Sequence, residues 1–139
     1  MSDNIIAIST LVGESAINII RLSGPNVIEI VSNFFTKDLT KVEANTINYG
    51  YFKYNNEIID EVLISVFRAP KSYTTEDLIE INTHGGISTV KKIMEILLQE
   101  DVRIAEPGEF IKRAFLNGRI DLTQAEGIMN LIESKTPYK

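Results

Sequence analysis

Few side chains in this sequence are equipped for chemistry, and their spacing limits what that chemistry can be. His84 is the only histidine and there is no cysteine. One chain therefore holds no histidine pair, no multi-histidine metal site, no thiolate site and no thiol nucleophile. His84 stands directly before Gly85-Gly86. Three roles are open to it: supporting that turn through hydrogen bonds, lining a ligand pocket, or exchanging protons. No serine or threonine is paired with a base in a way that marks a nucleophile. None of the eight glycines opens the Gly, four residues, Gly-Lys-Ser/Thr run that wraps amides around a phosphate, and no dinucleotide fingerprint occurs. The chain by itself is expected to be no enzyme, with no catalytic residue, no metal site and no nucleotide hydrolysis.

Two charges are more informative. Arg21 lies inside the apolar run Ile17 to Leu22, where a guanidinium is costly to bury unless paired. It is either a snorkelling or edge-strand arginine, or a fork of donors facing an anionic or carbonyl-bearing ligand. Glu80 sits between Ile79 and Ile81. It either lies on a solvated strand face or accepts two parallel N–H donors, as a 2-amino-4-oxo pterin ring offers. An inward Arg21 and an inward Glu80 would together describe a pocket for a zwitterionic or heteroaromatic ligand. Arg113, Asn117 and Arg119 gather around the end of a third helix. Basic side chains there ordinarily complement the helix dipole from a solvated face. Alternatively, the Asn117-Gly118-Arg119 loop closes over a ligand.

The elements that must position these residues follow from periodicity. Ile5 to Thr10 and Ala16 to Ser23 read as strands joined by a hairpin loop at Gly13-Glu14-Ser15. Pro25 opens a helix whose apolar positions Val27, Ile28, Ile30, Val31, Phe34 and Phe35 run to about Phe35. Thr46 to Tyr54 and Ile58 to Arg68 are strands around Asn55-Asn56, residues that accept positive φ in tight turns. Residues 69–75 read as a loop and Asp77 to His84 as a strand with Ile79 and Ile81 on one face. Ile87 to Gln99 has helical spacing, and Val102 to Ala105 is a short strand. Pro107-Gly108-Glu109 opens a third helix, with Phe110, Ala114 and Phe115 on its buried stripe and an end at Asn117-Gly118. Asp121 caps a fourth helix running to Lys135, with Gln124 completing a variant capping box. Several neighbouring strands form hairpins, so the expected fold is mixed α+β with a largely antiparallel sheet, not a doubly wound parallel one.

The chain has 139 residues, 44% hydrophobic and 24% charged, enough for one domain with its own core. Fourteen basic against nineteen acidic residues leave a net charge of −5. Phosphate neutralisation, which dominates duplex binding, needs the opposite balance, so any contact with RNA requires help from elsewhere. No apolar run approaches the ~20 residues that span a bilayer, and no signal peptide precedes Asn4. A soluble, cytoplasmic chain with no membrane partner is expected.

Four stretches carry a resemblance over almost the whole length. They are Ile19-Ile20-Arg21-Leu22-Ser23-Gly24, the run from Ala69 to Asp77, Glu80-Ile81-Asn82-Thr83-His84-Gly85-Gly86, and the long run from Ala105 to Glu126. In this order they closely resemble the N-terminal domain of the tRNA modification GTPase family (MnmE or TrmE). The resemblance implies an α+β module similar to the tetrahydrofolate-binding domain of aminomethyltransferases. It also implies a homodimer that binds 5-formyl- or 5,10-methylene-tetrahydrofolate near its interface, through the positions of Arg21, Glu80 and Arg119. Residues 1–118 would form this module and 119–139 the start of a truncated helical domain. GTP, Mg and K would belong to an absent GTPase domain. With a flavin-dependent partner protein, the complete protein would modify the wobble uridine of tRNA at C5, in the carboxymethylaminomethyl manner. Two departures stand out. Arg119 replaces a lysine usual in the family, and residues 10–18 lack the family's common Thr-Pro-Pro-Gly and Gly-rich turn. Two other readings stay open: a structural dimerisation module with a non-functional folate pocket, and a folate-dependent one-carbon transferase, which would need a substrate domain.

Overall fold

The computed structural model describes residues 3–10 and 18–134. Six strands form one sheet: β1 (Ile5–Thr10), β2 (Asn18–Ser23), β3 (Thr46–Tyr54), β4 (Glu57–Phe67), β5 (Leu78–Thr83) and β6 (Arg103–Ile104). Their spatial order is β3-β4-β5-β2-β1-β6, and every pairing is antiparallel except β1 with β6. Four helices accompany it: α1 (Val27–Ser32), α2 (Ile87–Leu97), α3 (Glu109–Leu116) and α4 (Leu122–Ser134). The architecture is the mixed, largely antiparallel α+β arrangement that the hairpin spacing predicts. The expected hairpin loop at residues 13–15, the departing residues 11–17 and the end of the fourth helix at Lys135 lie outside the described residues.

Side chains alternate across each strand, so the two faces of the sheet have different fates. Ile6, Ile20, Leu22, Phe52, Val62, Ile64, Val66, Ile79 and Ile81 are buried on one face. Against them pack Val27, Ile28, Ile30 and Val31 of α1 and Val90, Ile93, Ile96 and Leu97 of α2. Each such side chain contributes roughly 1.5–3 kcal/mol through removal from water. The β3–β4 turn is the one expected, with Asn55 and Asn56 both at positive φ (52° and 65°).

α1 is shorter than its periodicity suggests. Phe34 and Phe35 leave the helix to serve the edge of the sheet: Phe35 bridges to Phe52, and Phe34 stacks on Phe52 with centroids 5.5 Å apart. Lys53 N donates to Phe34 O at 2.7 Å and Tyr51 N to Thr36 Oγ1 at 3.1 Å. Outward N–H groups of β3, which a longer α1 would leave to solvent, are thereby satisfied. Gly50 makes this approach possible, since a Cβ there would lie 2.4 Å from Thr36 Oγ1 and 2.7 Å from Phe35 Cζ.

Gly50→Ala is therefore expected to destabilise the fold by about 1–3 kcal/mol through overpacking. Gly86→Ala, whose new Cβ would meet nothing within 4 Å, is expected to stay within about 0.5 kcal/mol of the parent. Urea midpoints of the two variants, compared at equal slope, check the contrast.

Candidate functional site

The alternation that sends Ile20 and Leu22 into the core sends Arg21 to the opposite face, and Ile79 and Ile81 do the same for Glu80. β2 and β5 pair so that Arg21 and Glu80 lie directly opposite each other. Arg21 Nε donates to Glu80 Oε2 at 2.9 Å, and Arg21 Nη2 reaches the same oxygen at 2.7 Å. The pair is only partly covered, with side-chain exposures of 28% and 23%. Two rings flank the guanidinium: Tyr73 at 5.9 Å and Phe110 at 5.6 Å from Arg21 Cζ to their centroids, both within cation–π range. Arg21 uses Nε and Nη2, Glu80 uses Oε2, and Arg21 Nη1 and Glu80 Oε1 have no polar partner among the described residues.

Arg21, Tyr73, Phe110 and Ile111 line a cleft of about 440 Å³, within the size range of ligand pockets. A larger groove of about 510 Å³ lies nearby, lined by Asn18, Tyr49, Leu63, Asn82 and His84 among others. It lacks a comparable charge pair; its Tyr49 donates to Glu61, which pushes the phenol above its ordinary range. The smaller cleft is the better candidate, because it combines aromatic walls with the guanidinium of Arg21. His84 belongs to the larger groove, and its turn is held by its own backbone: His84 N and Gly85 N donate to Asp60 Oδ2 at 2.8 and 3.1 Å.

Arg119 is not brought to the pair. It is exposed in the turn after α3, where its backbone N donates to Ala114 O at 2.8 Å, and its side chain neither pairs with a described residue nor lines the cleft. Asn117 instead ties this turn down, its Nδ2 donating to Thr74 O at 2.8 Å. No group of three or more potential metal ligands occurs among the described residues, and no helix there is long and apolar enough to cross a membrane.

Arg113 overturns the expectation of a solvated helix face. It is only 8% exposed and holds three segments together. Its Nη1 donates to Asp3 O at 2.7 Å and Glu76 Oε1 at 3.0 Å, and its Nη2 to Asp3 Oδ1 at 2.5 Å. Glu76 Oε1 also accepts from Ser23 Oγ at 2.8 Å, and Ser23 Oγ lies 2.6 Å from Thr74 Oγ1. The segment bearing Tyr73 and the helix bearing Phe110 are thereby joined to each other and to β2. Residue spacing could have flagged Arg113, four positions after Glu109; nothing local pointed to Tyr73 or Phe110 as walls of the cleft.

Arg103 extends the network, donating to Asp3 Oδ2 at 2.6 Å and Glu109 Oε2 at 2.6 Å. Its guanidinium, more than any other group, holds both carboxyls down to about 2. A carboxylate lowered in the folded state contributes stability that is complete above its unfolded pKa and lost as pH falls through the folded value. Thermal stability is accordingly expected to decline as pH drops from about 4.5 toward about 2. Arg103→Gln is expected to shrink the difference in Tm between about pH 6 and about pH 3; thermal scans of both proteins at the two values check this.

A largely antiparallel sheet with α1 and α2 packed on its core face, and an aromatic-walled cleft beside Arg21 on the other, defines a mixed α+β class of domain. Sequence comparison makes this specific: the family model described as GTP-binding protein TrmE N-terminus matches residues 4–119. The chain belongs to that family. It is 58% identical to the tRNA modification GTPase MnmE of Streptococcus thermophilus and 56% identical to that of Carboxydothermus hydrogenoformans, over 96% and 98% of its own length. A relative of the same name from Listeria welshimeri is 54% identical over 96%. The chain spans only 30–31% of the length of these relatives.

Proposed function

We propose that this chain is the reduced-folate-binding and dimerisation module of a GTPase that modifies tRNA. The Arg21–Glu80 pair carries the reading: Arg21 lines a cleft of suitable size between two aromatic rings, with the carboxylate of Glu80 paired to it. A carboxylate matches the parallel N–H donors of a pterin's amino edge, aromatic faces match its flat ring, and a guanidinium matches carbonyl or carboxylate oxygens. Glu80 would hold the pterin edge and Arg21 the oxygens, with Arg119 approaching from the turn after α3. A bound 5-formyl- or 5,10-methylene-tetrahydrofolate would supply a one-carbon unit for C5 of the wobble uridine. GTP hydrolysis, with its Mg and K, would belong to sequence beyond this chain, as would contact with tRNA and with a flavin-dependent partner protein. The setting of that work would be the cytoplasm.

Calorimetric titration with 5-formyl-tetrahydrofolate tests the reading. Saturable binding is expected, and Glu80→Ala should weaken it on the order of 100-fold, the cost of leaving charge-assisted hydrogen bonds unmade. Equal affinity in the parent and the variant would overturn the role of Glu80. Absence of binding by the folded parent would favour a purely structural dimerisation module.

The dimerisation surface would lie on the same face of the sheet. Register places Ile47 opposite Ser65 and Ser65 opposite Glu80, so one row runs from Ile47 to Arg21. In the adjoining row Tyr49 faces Leu63. Ile47, Tyr49 and Leu63 are all exposed, an apolar patch on the face that carries Arg21 and suited to a second copy. Sedimentation at tens of micromolar is expected to give a dimer for the parent chain and a monomer for Leu63→Asp. A monomeric parent would sink this part of the proposal.

A further inference from the structure

One wall of the cleft comes from neither the sheet, nor residues 69–77, nor α3. Ile128 of α4 lines it together with Arg21, Tyr73 and Phe110. A tight fit seats α4 there. Gly108 has φ +74°, a left-handed conformation that glycine adopts without penalty. A Cβ at Gly108 would lie 2.4 Å from Met129 Sδ and 2.7 Å from Met129 Cε. The missing side chain is thus a socket for the Met129 thioether. A turn earlier on the same stripe Ala125 is buried, whereas Thr123, Glu126, Gly127 and Asn130 are exposed. The helix start is fixed independently by a reciprocal cap, Gln124 N donating to Asp121 Oδ1 at 2.7 Å and Asp121 N to Gln124 Oε1 at 2.8 Å.

We propose that Ile128 is a ligand-contacting wall of the cleft beside Arg21, held in place by the seat of Met129 on Gly108. Whatever fills the cleft then touches α4, and occupancy and the seating of α4 are thermodynamically linked. The linkage is reciprocal: a ligand that binds better with α4 seated must hold α4 seated. A branched aliphatic side chain sharing a cleft with a guanidinium and two rings favours a flat heterocycle with an apolar face over a flexible polar chain. The ligand part of this inference rests on the folate reading above; the wall does not.

The chain contains no tryptophan, so Ile128→Trp installs a single fluorescent reporter. Its emission is expected to be blue-shifted and shielded from acrylamide. Adding Met129→Asp should return it to that of an exposed indole. Affinity for 5-formyl-tetrahydrofolate should fall roughly tenfold or more in Ile128→Trp through overfilling of the cleft, and also fall in Ile128→Asn, while Ile128→Val retains it. A shielded reporter in a chain whose parent binds no folate would support the wall and overturn only the folate reading. Solvent-like emission from a natively folded Ile128→Trp would overturn the wall itself. Folate binding unchanged in both Ile128→Trp and Ile128→Asn would overturn ligand contact.

Discussion

Register between β2 and β5 is set by buried pairs, Ile20 against Ile81 and Leu22 against Ile79, and that register alone places Arg21 opposite Glu80. A slip of β5 by one residue would carry Glu80 into the core face and turn Ile79 and Ile81 out of it, leaving Arg21 without its partner. The apolar face therefore enforces the geometry of the charged one. No separate device is needed to bring the guanidinium within 2.7 Å of the carboxylate. The coupling also runs outward, since β4 continues the same rows through Ser65 and Ile64.

Around this pair the protein assembles walls from segments far apart in sequence. Tyr73 comes from the segment between β4 and β5, Phe110 from α3, and both are fixed through the buried Arg113. A buried guanidinium is costly unless its donors are matched, and here Asp3 and Glu76 match them. Glu76 Oε2 is buried without a hydrogen-bond partner in the described structure, so the carboxylate depends on the charge of Arg113 and on Ser23 at its other oxygen. The walls are thus held by electrostatics that screening by salt weakens little at such burial.

Much of this was legible in the residues. All six strands and four helices follow from alternation, helical spacing and turn chemistry, and Arg21 and Glu80 announced themselves as charges in otherwise apolar strands. Departures arise where a distant segment makes the decision. The helical period through Phe34 and Phe35 gives way because the edge of β3 needs hydrogen-bond partners and Phe52 needs a ring to stack on. Arg113 looks like an ordinary helix-end cation until Glu76, 37 positions away, is folded beneath it. Phe110 was expected on a buried stripe and is half-buried instead, its face given to Arg21. Arg119 lies exposed in the turn after α3.

The treatment of the two outermost strands has a further consequence. β6 is two residues long, and the later half of β3 gives its N–H groups to Phe34 and Thr36. Short or covered edges deny an incoming strand a template, the usual safeguard against runaway polymerisation. Copies of this molecule therefore have little opportunity to extend one another's sheet. An interface between two copies would then have to use a broad face of the sheet, and a two-fold contact of that kind closes on itself and adds no third copy.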